Sequence, residues 1–462
     1  LVISEPLAHS VLVNGPVIAS AVVTNFPVGG SVEFEFGGSA CDTATETSPG
    51  LFTADCGTPG AGDYFLPGMG LRGILRNNSG GVVSSDENTR IGVQGNSHVT
   101  VGDSITEGFV DRFYPDNQSL DERIIGKQGY QARLNDLLTT STSTSIVFNE
   151  GVSNDKTSDA LVRIDSILER HHDSNRVLMM LGTNDLGSTF LTQSAYQANM
   201  QSLADTITGQ GKSLWVALLP PVLPYAANTI LNGDVKGYNK AITNLTNIQI
   251  GPDFFSFFYD DNDTPDIGDD NERISLFADT VHPNALGIRI MGDLWANILK
   301  GTTTTPFFLD RLCNRLISPD CSAVSPTNHK QNLLDADDEF YIDEAYTLSS
   351  IPAGLADGIW VVPSNAESTN TSADYIEFTV DRPVLVFVAY DSGASSLPNW
   401  LDPASSDFED TFLEISTTDP LSPALHVYSQ AFSAGTVTLG GNMATGANGA
   451  NSNYLVIVVE LQ

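Results

Sequence analysis

Four short blocks of this sequence carry residue types suited to acyl-transfer chemistry. The first is Gly102-Asp103-Ser104-Ile105-Thr106-Glu107-Gly108, directly after the run Val99-Thr100-Val101. The second is Asn149-Glu150-Gly151-Val152-Ser153-Asn154, and the third is Gly182-Thr183-Asn184-Asp185. The last is Asp279-Thr280-Val281-His282-Pro283-Asn284. A serine hydroxyl is a poor nucleophile at neutral pH until a base takes its proton. An imidazole, with an ordinary pKa of about 6.5, suits that exchange. Ser104 is therefore the candidate nucleophile and His282 its base. Asp279, three residues earlier, can bond the imidazole and set its tautomer. A tetrahedral oxyanion also needs donors. The Ser104 N–H at an expected helix start, the Gly151 backbone N–H and the Asn184 side-chain amide are the candidates. Asp103 reads as a residue that holds the turn.

Each block alone is a weak signal, since Gly-Asp-Ser, Asp-x-x-His and Gly-Thr-Asn-Asp all occur as ordinary turns and caps. Their order along the chain is the stronger evidence, because each of the first three follows an expected strand. Apolar runs at 99–102, 146–149, 177–181 and 214–219 alternate with amphipathic stretches at 131–138, 158–169 and 195–208. That alternation predicts a parallel sheet covered by helices on both faces. Ligands bind such sheets at the carboxyl ends of the strands, so the blocks should converge on one crevice. No G-x-S-x-G pentapeptide is present, which argues against an α/β-hydrolase nucleophile elbow.

The set closely resembles the SGNH hydrolase family, also called GDSL esterases and lipases. The family's four marker residues fall on Ser104, Gly151, Asn184 and His282, with the triad acid on Asp279. The resemblance covers roughly residues 98–300 and includes Gly129-Tyr130-Gln131-Ala132-Arg133-Leu134, similar to the segment after the family's first helix. It departs from the family in an insertion-like stretch at 111–127. What the resemblance implies is a three-layer, flavodoxin-like α/β domain with a five-stranded parallel sheet, a shallow cleft and esterase activity that requires no cofactor.

The flanks have another texture. Residues 1–96 are rich in Val, Gly, Ser and Thr, with alternating runs such as Ser31-Val32-Glu33-Phe34-Glu35-Phe36, and read as an immunoglobulin-like β-sandwich. The expected division is that sandwich, a catalytic domain at 97–301, a linker with a stapled loop at 302–335, and a β-sandwich accessory domain at 336–462. Cys41 with Cys56 and Cys313 with Cys321 each bracket a loop, which suggests two disulfides and an oxidising compartment. Trp360, Tyr390 and Trp400 are candidates for stacking on sugar rings, although sandwich-core packing is the simpler reading.

The chain carries 21 Lys and Arg against 56 Asp and Glu, a formal charge of −35. Such a surface repels nucleic acid and anionic lipid, so neither is an expected partner. It suits a marine or halophilic setting, where salt screens self-repulsion. No apolar run approaches the roughly 18 residues of a membrane span. The chain begins at Leu1 without a basic-then-apolar leader, and the expectation is a processed protein that is secreted, periplasmic or at the cell surface. An acidic run from Asp260 to Glu272 resembles a calcium loop, with Asp261, Asp263 and Asp266 as candidate ligands of a structural calcium. Its spacing does not match the EF-hand, and in so acidic a chain the run reads first as solvated surface. The leading functional expectation is a serine carboxylic-ester hydrolase acting on ester substrates, acetylated polysaccharide among them. A short-chain lipase or arylesterase is one alternative, and a catalytically silent carbohydrate-binding or adhesion protein is another.

Overall fold

The computed structural model describes residues 1–6, 11–12, 16–58, 70–88, 92–93, 96–109, 129–139, 145–186, 191–260, 271–316, 329–356 and 358–461. The insertion at 111–127, the calcium candidates Asp261, Asp263 and Asp266, and Cys321 lie outside the described residues.

The alternating pattern folds into five parallel strands. These are β1 (Asn96–Gly102), β2 (Ser145–Gly151), β3 (Arg176–Met180), β4 (Ser213–Leu218) and β5 (Gln249–Asp253). Their order is β2-β1-β3-β4-β5, and every neighbouring pair is parallel. Val177, Leu178, Met179 and Met180 are fully buried, which is why β3 reads as a continuous apolar run. The edge strand β5 is Gln-Ile-Gly-Pro-Asp, and its proline is tolerated because an edge leaves one row of backbone groups unpaired. Gly251 lets this strand pass beneath Trp295, since a Cβ there would meet the indole at 2.7 Å.

Helices α3 (Thr157–Arg170), α4 (Gln193–Gly209) and α5 (Thr229–Thr243) pack side by side. Helix α2 (Gln131–Leu138) packs instead with α6 (Ala285–Lys300). Because parallel crossovers are almost always right-handed, the reversal of strand order at β1 puts the first group on one face and the pair on the other, giving three layers. No helix among the described residues is long and apolar enough to cross a membrane.

The N-terminal region forms two four-stranded antiparallel sheets around its own core, including Ile3, Ala21, Phe34, Phe52 and Leu71. In Ser31–Phe36 the alternate residues Val32, Phe34 and Phe36 point inward, as the sequence pattern requires. A disulfide joins Cys41 to Cys56. Cys313 is also disulfide-bonded.

The C-terminal region is built on seven- and three-stranded sheets. Here the boundary differs from expectation. The stretch 302–335, read as a linker, contributes two strands to these sheets. Asp310–Asn314 pairs with Ile376–Val380, and β6 (Lys330–Leu333) pairs with Ile359–Val362. Pro and Cys punctuation suggested a loop, whereas long-range pairing decides strand identity. Trp360 and Tyr390 are fully buried and Trp400 is partly buried, donating its indole N–H to the Gly441 carbonyl, so all three pack the sandwich. One apolar cluster runs from Val99 and Val177 through Trp295 and Phe308 to Val386 and Val458, so the α/β core and the C-terminal core are continuous.

Candidate active site

Three of the four blocks arrive at the carboxyl end of the sheet where the strand order reverses, the usual crevice of this topology. At the end of β1, Gly102 has no room for a side chain, because a Cβ would meet Thr106 Oγ1 at 2.1 Å and the Met180 carbonyl at 2.5 Å. Asp103 then caps a one-turn helix, α1 (Ser104–Glu107), accepting the Ile105 N–H on Oδ1 at 3.0 Å. Gly108 closes the turn at φ 89°, a left-handed conformation that suits glycine. Ser104 is thus held at the first position of α1, between strand and helix.

Ser104 Oγ lies 2.9 Å from His282 Nε2, although 178 residues separate them. His282 Nδ1 lies 2.8 Å from Asp279 Oδ2. The other carboxylate oxygen, Oδ1, accepts the N–H groups of Val281 and His282, both at 2.7 Å. Burial alone would raise the Asp279 carboxyl, but the hydrogen bonds from the His282 ring and from these two N–H groups outweigh it and hold the pKa at about 2. An ionised Asp279 accepts the proton on Nδ1, leaving the Nε2 lone pair toward the serine hydroxyl. The Phe109 ring lies 5.1 Å from the imidazole.

Of the oxyanion candidates, the Ser104 N–H makes no hydrogen bond among the described residues. Asn184 sits on a single 3-10 turn after β3 and donates from Nδ2 to the Asp155 carbonyl at 3.1 Å. Gly151 is a correction. Its N–H is engaged by Asn149 Oδ1 at 2.9 Å, and a Cβ would stand 2.2 Å from the Glu107 nitrogen. Glycine is needed there so that β2 can press against α1, and its N–H is already spent. A residue missed by sequence reasoning lies three positions on. Asn154 has φ 68°, and its backbone N–H has no partner among the described residues. The available signal was an asparagine in a polar turn, the commonest non-glycine residue in left-handed geometry.

Two further groups hold this constellation, and neither stood out in the sequence. The Arg163 guanidinium donates to the Gly102 carbonyl at 3.1 Å, the Glu150 carbonyl at 2.8 Å and Asp155 Oδ2 at 2.6 Å. One side chain from α3 therefore ties together the ends of β1 and β2 and the turn that meets Asn184. The second group comes from the C-terminal sandwich. Lys330 Nζ donates to the Phe277 carbonyl at 2.7 Å, and Gln331 Nε2 donates to Ser275 Oγ at 2.8 Å. Asn284, which caps α6 by accepting the Gly287 N–H, donates back to the Gln331 carbonyl at 2.8 Å. Strand β6 thus braces the loop that carries Asp279 and His282. Among the described residues, no cluster of three or more His, Cys, Asp or Glu side chains is arranged to hold a metal ion.

Residues 100–290 match the model of the GDSL-like Lipase/Acylhydrolase family. This segment is a GDSL-like acylhydrolase domain. No curated protein matches the chain. Among solved structures, the chain is similar to a lipase/acylhydrolase from Enterococcus faecalis at 19% identity, covering 45% of this chain and 96% of that one, with a TM-score of 0.33. It is similar to an acetyl xylan esterase from Geobacillus stearothermophilus at 18% identity, covering 46% and 97%, with a TM-score of 0.36. It is also similar to a beta-glucuronidase from glycoside hydrolase family 2 at 20% identity and a TM-score of 0.26, but there it spans only 14% of that chain's length. The flanking β regions lie outside the matched residues.

Proposed function

We propose that the chain is a secreted serine carboxylic-ester hydrolase that removes acetyl groups from an extracellular polysaccharide through an acyl-serine intermediate. The observation that carries the hydrolase reading is the unbroken relay from Asp279 through His282 to Ser104, with links of 2.8 and 2.9 Å. In acylation, Ser104 Oγ bonds to the ester carbonyl carbon as its proton passes to His282 Nε2. The intermediate then collapses, the C–O bond to the alcohol breaks, and the alcohol leaves with that proton. Water repeats the sequence on the acyl-serine and releases the carboxylic acid. Asp279 stays ionised throughout and stabilises the imidazolium. The Ser104 N–H and the Asn184 amide receive the oxyanion, and the Asn154 N–H is the third donor in place of Gly151.

The polysaccharide half rests on other features. A disulfide at Cys41–Cys56 fits an oxidising compartment. The Phe109 ring, 5.1 Å from the His282 ring, places an apolar group beside the base, which suits a short acyl chain. The test is twofold. Ser104→Ala should abolish turnover of p-nitrophenyl acetate, and full retained turnover would remove the nucleophile. Acetate release from acetylated xylan is then compared with p-nitrophenyl octanoate hydrolysis. Strong octanoate turnover with no acetate release would refute the substrate class.

A further inference from the structure

Glu107 closes the one-turn helix that begins at Ser104, yet it is only 3% exposed. Burying a carboxyl group is costly unless the fold supplies it with hydrogen bonds. Here Oε2 accepts the backbone N–H of Ser153 at 2.5 Å, 46 residues further along the chain. We propose that Glu107 is a positioning residue: it holds the turn that presents the Asn154 N–H to the oxyanion. The inference rests on the proposed function and names what keeps its third donor in place.

The turn itself shows why a hold is needed. The Asp155 N–H donates to the Val152 carbonyl at 3.1 Å, so residues 152–155 form a β-turn. Its φ is positive at Asn154, 68°, but not at Ser153. That combination is the type II pattern, whose central peptide is turned over relative to the commoner type I. The two types therefore present the central N–H, here that of Asn154, to opposite sides. Type I needs no left-handed residue, and for any residue but glycine it is the less strained choice. Something outside the turn must then hold the type II form.

The outer residues are tied to the rest of the site. The Val152 N–H donates to the Gly102 carbonyl at 3.1 Å, and Asp155 is bonded by Arg163 and Asn184. The central peptide has no such tie, since neither the Ser153 carbonyl nor the Asn154 N–H is hydrogen-bonded among the described residues. Ser153 is gripped through its own N–H, and the grip comes from Glu107. The other end of residue 107 is fixed as well, because its carbonyl accepts the Asn149 side-chain amide at 3.1 Å. One turn of helix thus carries the nucleophile at its first residue and the anchor of the donor loop at its last.

The test uses the full-length protein with p-nitrophenyl acetate and p-nitrophenyl thionoacetate, in which sulfur replaces the carbonyl oxygen. Sulfur is a weak acceptor, so the thionoester gains little from an oxyanion donor. Glu107→Ala removes the acceptor, Glu107→Asp keeps a carboxyl but shortens its reach, and Glu107→Gln keeps both the reach and an acceptor oxygen. The Ala and Asp variants should lower kcat for the acetate about 10- to 100-fold, with KM changed less than about threefold. In both, the ester-to-thionoester ratio of kcat/KM should fall at least about fivefold, whereas Glu107→Gln should keep the native ratio. Thermal melting verifies that the variants fold, and Glu107→Asp decides the matter should Glu107→Ala not fold. A loss shared equally by the two substrates would leave Glu107 a mere support of α1 and overturn the inference. Native-like kcat in the Ala and Asp variants, or a Gln variant as impaired as Ala, would overturn it too. A native protein that cleaves neither ester sinks the proposed function and this inference together; an active one with unaffected variants sinks this inference alone.

Discussion

Replacing Asp103 with asparagine removes a charge that the fold buries beside the nucleophile. Asp103 is 0% exposed. Burial raises its carboxyl from 3.8 to about 6, against the opposing pull of the Ile105 N–H and the His282 charge. A raised pKa in an acid means that the folded state binds the proton more tightly than the unfolded chain does. The stability linked to this group is therefore greatest below about pH 4, declines as the pH rises to about 6, and stays low above that. The shift corresponds to roughly 3 kcal/mol at about 1.36 kcal/mol per unit, an upper bound. Asparagine keeps an oxygen for the Ile105 N–H and has no charge to desolvate. Asp103→Asn should accordingly be more stable than the native protein by about 1–3 kcal/mol near pH 8 and nearly equal to it near pH 4. For a domain of this size that is a rise of roughly 2–10 °C in melting temperature. Scanning calorimetry of both proteins at the two pH values measures it. A variant less stable near pH 8, or equally stabilised at both pH values, would refute the reasoning.

Other perturbations address the catalytic apparatus and its supports. Asp279→Asn loses the carboxylate that sets the imidazole tautomer, so kcat for p-nitrophenyl acetate should drop about 10³- to 10⁴-fold; a loss under tenfold would count against the triad. Arg163→Met leaves the Gly102 and Glu150 carbonyls and Asp155 without their shared donor. It should lower kcat by roughly a hundredfold with little change in KM, because the loss is one of alignment; a change confined to KM would contradict this. Glu150 is fully buried against Arg170 and His171, and their hydrogen bonds overcome the burial penalty and hold its carboxyl at about 2. Its contribution is present above about pH 4.5 and is lost as the pH falls toward 2. Glu150→Gln should therefore cost about 3–5 kcal/mol near pH 7 and much less in acid, as melting curves would record. Asn284→Ala removes the α6 cap and the bond to β6 together, and should cost about 1–3 kcal/mol in thermal stability while reducing turnover.

The blocks that meet at Ser104 and His282 were legible because each couples a chemical residue to a local structural signal. Ser104 lies between an apolar run and a glycine-closed turn, and His282 lies three residues after a carboxylate that can reach it within one loop. Strands β1 to β4 were legible for a related reason, since each carries a short apolar run where the sheet is covered on both faces. Strand β5 was not, because Gln249-Ile250-Gly251-Pro252-Asp253 owes its pairing to β4 and its glycine to Trp295 above it. Strand β6 was obscured in the same way: Lys330-Gln331-Asn332-Leu333 is polar because its side chains bond to Phe277, Ser275 and the first turn of α6. The Gly151 N–H could not be read as engaged from the sequence, because a glycine can serve close packing as readily as ligand approach. Only the partner of its N–H tells the two apart.

The sequence by itself determined which side chains are able to do the chemistry and that the first three blocks sit at the ends of successive strands. Those properties depend on residue type and on spacing within a few turns of chain. The tertiary structure decided which backbone N–H groups are still available to an oxyanion. It also decided that Arg163 ties the ends of two strands to the turn at Asp155, and that a second domain braces the histidine loop. Each of these is a contact between residues far apart in the chain, settled by how the layers pack and invisible to any local pattern.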